Sequence, residues 1–156
     1  MFNKVKEYIK KYDLKEGNIM LLACSGGIDS MVLFDIFKKL NIYFCVAHCN
    51  FMLRSDESNG DEKFVKEKCK ENSITFFSKS FNIKEEALRS GKSIQMIARE
   101  LRYLWMKNLL KDHHLNYIVT AHNLNDQLET FLINFSRGSG LKGLTGISDS
   151  TVLRPL

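Results

Sequence analysis

The segment SGGIDS, residues 25–30, places glycines, hydroxyl side chains and a carboxylate where an apolar run gives way to an apparent helix. Backbone N–H groups at a helix N-terminus bind anions, and glycines let phosphate oxygens approach the backbone. Ser25 and Ser30 add hydroxyl donors, while Asp29 suits either Mg²⁺ or a helix cap. The segment lacks the lysine of a Walker loop and the spacing of a dinucleotide-binding loop. It indicates a short loop for pyrophosphate, with a plain strand-to-helix turn as the alternative.

Two more polar clusters follow predicted strands, at residues 48–58 and 122–129. In the second cluster, Asp126 and Glu129 are three residues apart, so one helical face presents both carboxylates. This pair suits a cationic substrate, or acceptance of the proton that an attacking amine must lose. The alternative is an ordinary acidic helix start, stabilised by the helix dipole.

The apolar pattern supplies alternating strands and helices that would position these clusters. In chain order it predicts helix 2–12, strand 19–24, helix 29–40, strand 42–47, helix 57–72, strand 74–77, helix 93–112 with Ser93 as N-cap, strand 117–121 and helix 123–135. Such alternation predicts an α/β fold with a parallel sheet and helices on both faces. Ligands of these folds bind beyond the carboxyl ends of the strands, where all three clusters fall.

Composition limits the class of protein. The chain has 156 residues, of which 44% are hydrophobic and 26% charged, as in one soluble globular domain. No apolar stretch approaches the roughly 20 residues that span a bilayer, and the start lacks the apolar region of a signal peptide. We therefore expect a cytoplasmic protein without a membrane partner. The four cysteines form no C-x-x-C pair and predict free thiols, with Cys24 and Cys45 buried. The net charge of +5 permits an anionic partner.

The hexapeptide resembles the PP-loop of the ATP pyrophosphatases. Further segments, in the same order, resemble the pattern of the tRNA(Ile)-lysidine synthetase family: HCNFMLR at 48–54, ARELRY at 98–103, AHNLNDQLET at 121–130 and RGSGLKGL at 137–144. The resemblance spans residues 19–156. Phe51 and Asn123 stand where the family has histidines, so neither receives a catalytic role.

This resemblance implies a Rossmann-like PP-loop ATP pyrophosphatase fold. It implies ATP-dependent ligation of lysine to C2 of the wobble cytidine of tRNA(Ile) with a CAU anticodon, through an adenylated cytidine. ATP and L-lysine would be substrates and Mg²⁺ the cofactor, and a homodimer stays open. We expect residues 1–156 to be the N-terminal ATP-binding catalytic domain of a longer protein, without its C-terminal tRNA-binding domains and inactive in isolation.

The resemblance also implies site residues. The expected ATP contacts are Ser25, Gly26, Gly27, Ile28, Asp29, Ser30, Ala47 and His48, with the backbone around His48 facing adenine. The expected catalytic residues are Asp29, Arg99, Asp126 and Glu129. Substrate binding is expected at His122, Asp126, Glu129 and Arg102, and Mg²⁺ binding at Asp29. The two arginines would hold an α-phosphate or the tRNA backbone, or lie on the surface, and either histidine could instead be structural.

Two other functions stay open. A PP-loop tRNA thiolase would use cysteines, often in C-x-x-C, to carry sulfur or a cluster, and this chain has no such pair. A non-catalytic nucleotide-binding module would need the loop but not Asp126 and Glu129.

Overall fold

The computed structural model describes residues 1–11, 17–52, 55–121 and 150–156. Its elements are, in chain order, α1 (Phe2–Lys11), β1 (Met20–Ala23), α2 (Ile28–Lys39), β2 (Phe44–Asn50), α3 (Ser55–Glu71), β3 (Phe76–Ser80), α4 (Ile83–Ser90), α5 (Ile94–Asp112), β4 (Tyr117–Thr120) and β5 (Val152–Leu153). Each element predicted within these residues is present, with some ends displaced. The predicted helix 123–135 lies outside the described residues.

The strands form one parallel sheet in the order β3-β2-β1-β4-β5. In the register, Ala23 at the end of β1 lies between Ala47 of β2 and Thr120 of β4. All carboxyl ends therefore lie at one edge of the sheet, which confirms the predicted parallel arrangement.

Alternate strand residues cover the two faces of the sheet. Leu22, Val46 and Val119 pack into a buried cluster with apolar side chains of α1, α2 and α3. Leu21, Ala47 and Ile118 pack against α5 on the other face. Helices thus cover both faces as predicted, and each fully buried side chain contributes about 1.5–3 kcal/mol.

Three features differ from the sequence predictions. Helix α4 was missed because it buries only Ile83 and so shows no repeating apolar stripe, and β5 is too short to show a period. Strand β2 extends to Asn50, because its pairing with β3 continues to Ser80. Cys24 is buried as predicted, whereas Cys45 is only partly buried. No helix among the described residues is long and apolar enough to cross a membrane.

Candidate nucleotide-binding site

Residues 24–27 join β1 to α2 at the carboxyl edge of the sheet, and short hydrogen bonds fix this turn. The amide of Cys24 donates to the carbonyl of Ala47 at 3.0 Å, which continues the ladder beyond β1. Ser30 Oγ donates to the carbonyl of Gly27 at 2.8 Å and lies 3.4 Å from Ser25 Oγ. Among the described residues no side chain caps α2 at Gly27, which leaves the N–H groups of its first turn as candidates for binding an anion. Asp29 lies within the helix and is not its cap.

The two glycines of this loop have different roles. Gly26 has φ +91°, and a methyl group placed on it would lie 3.2 Å from Asp61 Cβ and 3.3 Å from its Oδ1. Gly27 has φ −72°, and its methyl group would meet Ser25 Oγ, at 3.4 Å, and no other atom of the described residues within 4 Å. Gly26 is therefore required for the shape of the loop, whereas Gly27 keeps the space in front of α2 open.

Asp61 is a site candidate that the sequence pattern did not indicate. Helix α3 brings its exposed carboxylate beside Gly26. Asp29 is also exposed, and with Lys4 it lines a hollow of about 300 Å³. Mg²⁺ in nucleotide sites takes one or two carboxylates together with phosphate oxygens and water. Asp61 and Asp29 are thus candidate carboxylates for Mg²⁺, and metal binding stays a prediction.

His48 lies within β2 and is buried. Its Nδ1 is 2.9 Å from the carbonyl oxygen of Cys24, and because a carbonyl only accepts, Nδ1 donates. The ring thus fixes the end of β1 beside the loop. A contact between the backbone of Ala47 or His48 and adenine stays a prediction.

Asn50 fixes the chain that leaves β2. Its amide nitrogen donates to Asn59 Oδ1 at 3.0 Å and to Glu62 Oε2 at 2.9 Å, and its oxygen accepts from the amide of Met52 at 3.0 Å. The hydrogen bond from Asn50 lowers the pKa of Glu62, against the opposing effect of partial burial. This network holds α3, and with it Asp61, against the end of β2.

Helix α5 carries both predicted arginines on the opposite face of the sheet. It begins where predicted, with Ser93 Oγ accepting from the amide of Met96 at 3.3 Å. The Arg102 guanidinium lies 5.3 Å from the ring centre of Phe51, and that of Arg99 lies 5.4 Å from the ring centre of Tyr103. Arg102 therefore reaches the end of β2, one helical turn beyond Arg99.

Two buried hydroxyls on the α5 side are unpaired. Neither Tyr103 Oη nor Thr120 Oγ1 has a hydrogen-bond partner in the part of the chain that the structure describes. Thr120 ends β4 beside Ala23. A buried hydroxyl without a partner costs about 1–3 kcal/mol, so a ligand or water contact at these atoms would be favourable.

The remaining predicted site residues, His122, Asp126 and Glu129, lie outside the described residues, as does Asn123. Their roles stay predictions. Of the other predicted residues, the structure places residues 25–30, Ala47, His48 and Arg102 at the carboxyl edge of β1 and β2.

The PP-loop domain family matches residues 1–156. The tRNA(Ile)-lysidine synthase of Bacteroides thetaiotaomicron is 38% identical over 156 residues, which cover 98% of this chain and 37% of that protein. The enzyme of the same name from Chlorobaculum tepidum is 41% identical over 146 residues, which cover 90% of this chain and 44% of that protein. The chain thus spans less than half the length of these relatives.

Two solved structures share the fold. The U34-tRNA thiolase NcsA from Methanococcus maripaludis, with its [4Fe-4S] cluster, has a TM-score of 0.78 at 19% identity, over 99% of this chain and 57% of that one. The NH3-dependent NAD synthetase from Campylobacter jejuni has a TM-score of 0.59 at 12% identity, over 84% of this chain and 60% of that one. At these identities the likeness concerns the fold alone.

Proposed function

The chain belongs to the PP-loop domain family, and on that premise we propose that it is the ATP-binding part of a tRNA(Ile)-lysidine synthase. The observation that carries the proposal is the β1–SGGIDS–α2 turn, in which no side chain of the described residues caps the helix at Gly27. Whole-chain similarity to relatives of that name supports the choice of reaction. The enzyme would be a ligase that uses ATP to join L-lysine to the wobble cytidine of tRNA(Ile) with a CAU anticodon.

The reaction divides into two steps. The C2 carbonyl oxygen of cytidine attacks the α-phosphorus of ATP, and the bond to pyrophosphate breaks. The ε-amine of lysine then attacks C2, loses a proton and expels AMP. The loop would serve the first step, because the N–H groups at the start of α2 and the exposed hydroxyl of Ser25 could stabilise the charge that develops on pyrophosphate. Ser30 donates its proton to the carbonyl of Gly27 and would hold the loop in shape. Asp29 and Asp61 would hold a Mg²⁺ ion, which neutralises phosphate charge.

The other roles follow from the predicted pattern. Arg99 would bind the α-phosphate, and Arg102 would bind tRNA. Asp126 and Glu129 would bind the ammonium groups of lysine or accept its proton, with His122 as a polar contact. The proposal places the reaction in the cytoplasm, with a homodimer as the assembly to test.

The cysteines favour lysine over cysteine-borne sulfur as the nucleophile. Burial raises the pKa of Cys24 and Cys45, that of Cys49 to about 11 and that of Cys69 to about 12. A sulfur carrier or cluster ligand acts as a thiolate, which requires the opposite shift.

The proposal is tested by incorporation of radiolabelled lysine into tRNA(Ile) by the full-length protein. Asp126→Asn should raise KM for lysine or lower kcat, with ATP binding nearly unchanged. Asp112→Asn, at an exposed position on α5, is the matched control. Absence of ATP-dependent lysine transfer by the unmodified protein would refute the proposed reaction. A tenfold loss of ATP affinity in Asp126→Asn, about 1.4 kcal/mol, would instead assign Asp126 to the ATP site.

A further inference from the structure

The α5 side of β2 and β3 carries stacked aromatic rings that hold cations. Because strand residues alternate, Cys49 of β2 and Lys79 of β3 pair in register on this side. Phe51 follows Cys49 by two residues and Phe81 follows Lys79 by two. Their rings stack, with centres 5.6 Å apart and planes inclined by 28°. We call Phe51, Phe81, Lys79 and Arg102 the cation–aromatic stack.

Each ring of the stack holds one cation. The Arg102 guanidinium is 5.3 Å from the centre of Phe51, and Lys79 Nζ is 5.4 Å from the centre of Phe81. The positive charge of Arg102 lowers the pKa of the Cys49 thiol, against the larger effect of burial, which raises it. Lys79 is exposed and Arg102 is partly buried, so solvent reaches both side chains.

The rings themselves are fixed from behind. The amide of Phe81 donates to the carbonyl of Asn50 at 2.8 Å, which extends the ladder between β2 and β3. Trp105 of α5 meets the Phe81 ring edge-on, with centres 6.2 Å apart and planes inclined by 73°. The rings of the stack are therefore held by the fold itself and are in place without a ligand.

The cations of the stack differ from those of α3, α4 and the α4–α5 turn. Lys68, Arg89 and Lys92 form ion pairs with carboxylates of Glu71, Glu85 and Glu100, at 2.8, 2.6 and 2.8 Å. Within the described residues, neither Lys79 nor Arg102 has a carboxylate within 4.0 Å. An aromatic face orients a cation without neutralising its charge. Among the residues that the structure describes, the stack thus presents two fixed positive charges without a carboxylate partner.

We propose that the cation–aromatic stack binds the phosphate backbone of RNA, as a surface separate from the phosphate loop. The identity of the RNA as tRNA rests on the proposed function. A nucleic-acid strand carries a phosphate on every nucleotide, so cations held on two different rings can each meet one of them. Phosphate contacts position a nucleic acid without reading its sequence, so we expect weak, salt-dependent binding without preference for the CAU anticodon.

The test is a filter-binding titration of the 156-residue chain with tRNA(Ile) and with an unrelated tRNA, at several salt concentrations. Each lost phosphate contact lowers the slope of log K against log salt by about 1. Lys79→Ala and Arg102→Ala should each show this loss for both tRNAs. Lys92→Ala and Arg89→Ala, which remove ion-paired cations, should leave the slope unchanged. Phe51→Leu should reproduce part of the loss in Arg102→Ala, because it removes the ring that orients the guanidinium.

The outcomes separate this proposal from the proposed function. The exposed side chain of Lys79 can be removed without unfolding the protein. An unchanged salt slope in Lys79→Ala would therefore refute the stack as an RNA surface, even if the full-length protein transfers lysine. Displacement of RNA by AMP at the stack would refute it in favour of a mononucleotide site. Sub-micromolar binding of tRNA(Ile), with much weaker binding of the unrelated tRNA, would refute a role limited to contacts with the RNA backbone. If the slopes change as expected but no lysine transfer is found, the stack stands and the proposed reaction fails.

Discussion

The phosphate loop and the cation–aromatic stack lie at the same edge of the sheet but are built in opposite ways. The loop uses consecutive residues, 25–30, and offers backbone N–H groups and short hydroxyls. The stack gathers long side chains from β2, β3 and α5 and offers formal charges on aromatic rings. Fixed backbone dipoles suit one compact anion at close range, whereas exposed cations attract an extended polyanion at longer range. The difference matches the two anionic partners that we propose, a nucleotide at the loop and a nucleic acid at the stack.

The largest effect is expected from a substitution that strains the backbone of the phosphate loop. Gly26→Val places a branched side chain at φ +91° and directs it at Asp61. We expect a loss of about 2 kcal/mol or more in the free energy of unfolding, measured by urea denaturation, together with loss of ATP binding. Gly60→Ala, with open space around its Cβ position in α3, should stabilise slightly and keep ATP binding. Wild-type stability in Gly26→Val would show that the loop tolerates another backbone conformation.

The loop and the parallel fold could be predicted because their signals are local. Six consecutive residues define the turn, and apolar runs define β1, β2 and β4. The stack could not be predicted, because it depends on which face of β2 receives α5. Phe51 showed only as a departure from the family pattern, and its contact with Arg102 joins residues far apart in the chain. Asp61 was missed for the same reason, since the extension of β2 and the Asn50 network bring α3 to Gly26.

A smaller effect is expected from removing the negative charge of Asp61, because we expect that charge to act on ATP through Mg²⁺. Asp61→Asn keeps the shape of the side chain but removes its charge beside Gly26. We expect about tenfold weaker binding of Mg-ATP, with equal or tighter binding of ATP in chelator, because an unneutralised carboxylate repels polyphosphate. Calorimetry under both conditions measures the difference. Equal weakening with and without Mg²⁺ would assign Asp61 a purely structural role.

The smallest effect concerns the hydrogen bonds of Asn50, which hold α3 against the end of β2. The hydrogen bond from Asn50 lowers the pKa of Glu62 in the folded protein, so its stabilisation is present above the unfolded pKa and is lost as pH falls through the folded pKa. Glu62→Gln should cost less than about 1 kcal/mol at neutral pH. The difference from wild type should shrink in acid below about pH 4. Glu67→Gln, exposed on the same helix, is the control, and a difference that persists in acid would contradict the assignment.

The most direct test of the central claim is calorimetric titration of Mg-ATP into the wild-type chain and Gly27→Val. The backbone of Gly27, at φ −72°, accepts a side chain, and within the described part of the chain its Cβ would meet only Ser25 Oγ, at 3.4 Å. The variant should therefore unfold at the wild-type temperature while its side chain covers the N-terminus of α2. We predict binding by the wild type and none measurable in the variant. Equal ATP affinity in the two proteins, at equal stability, would contradict a nucleotide site at this loop.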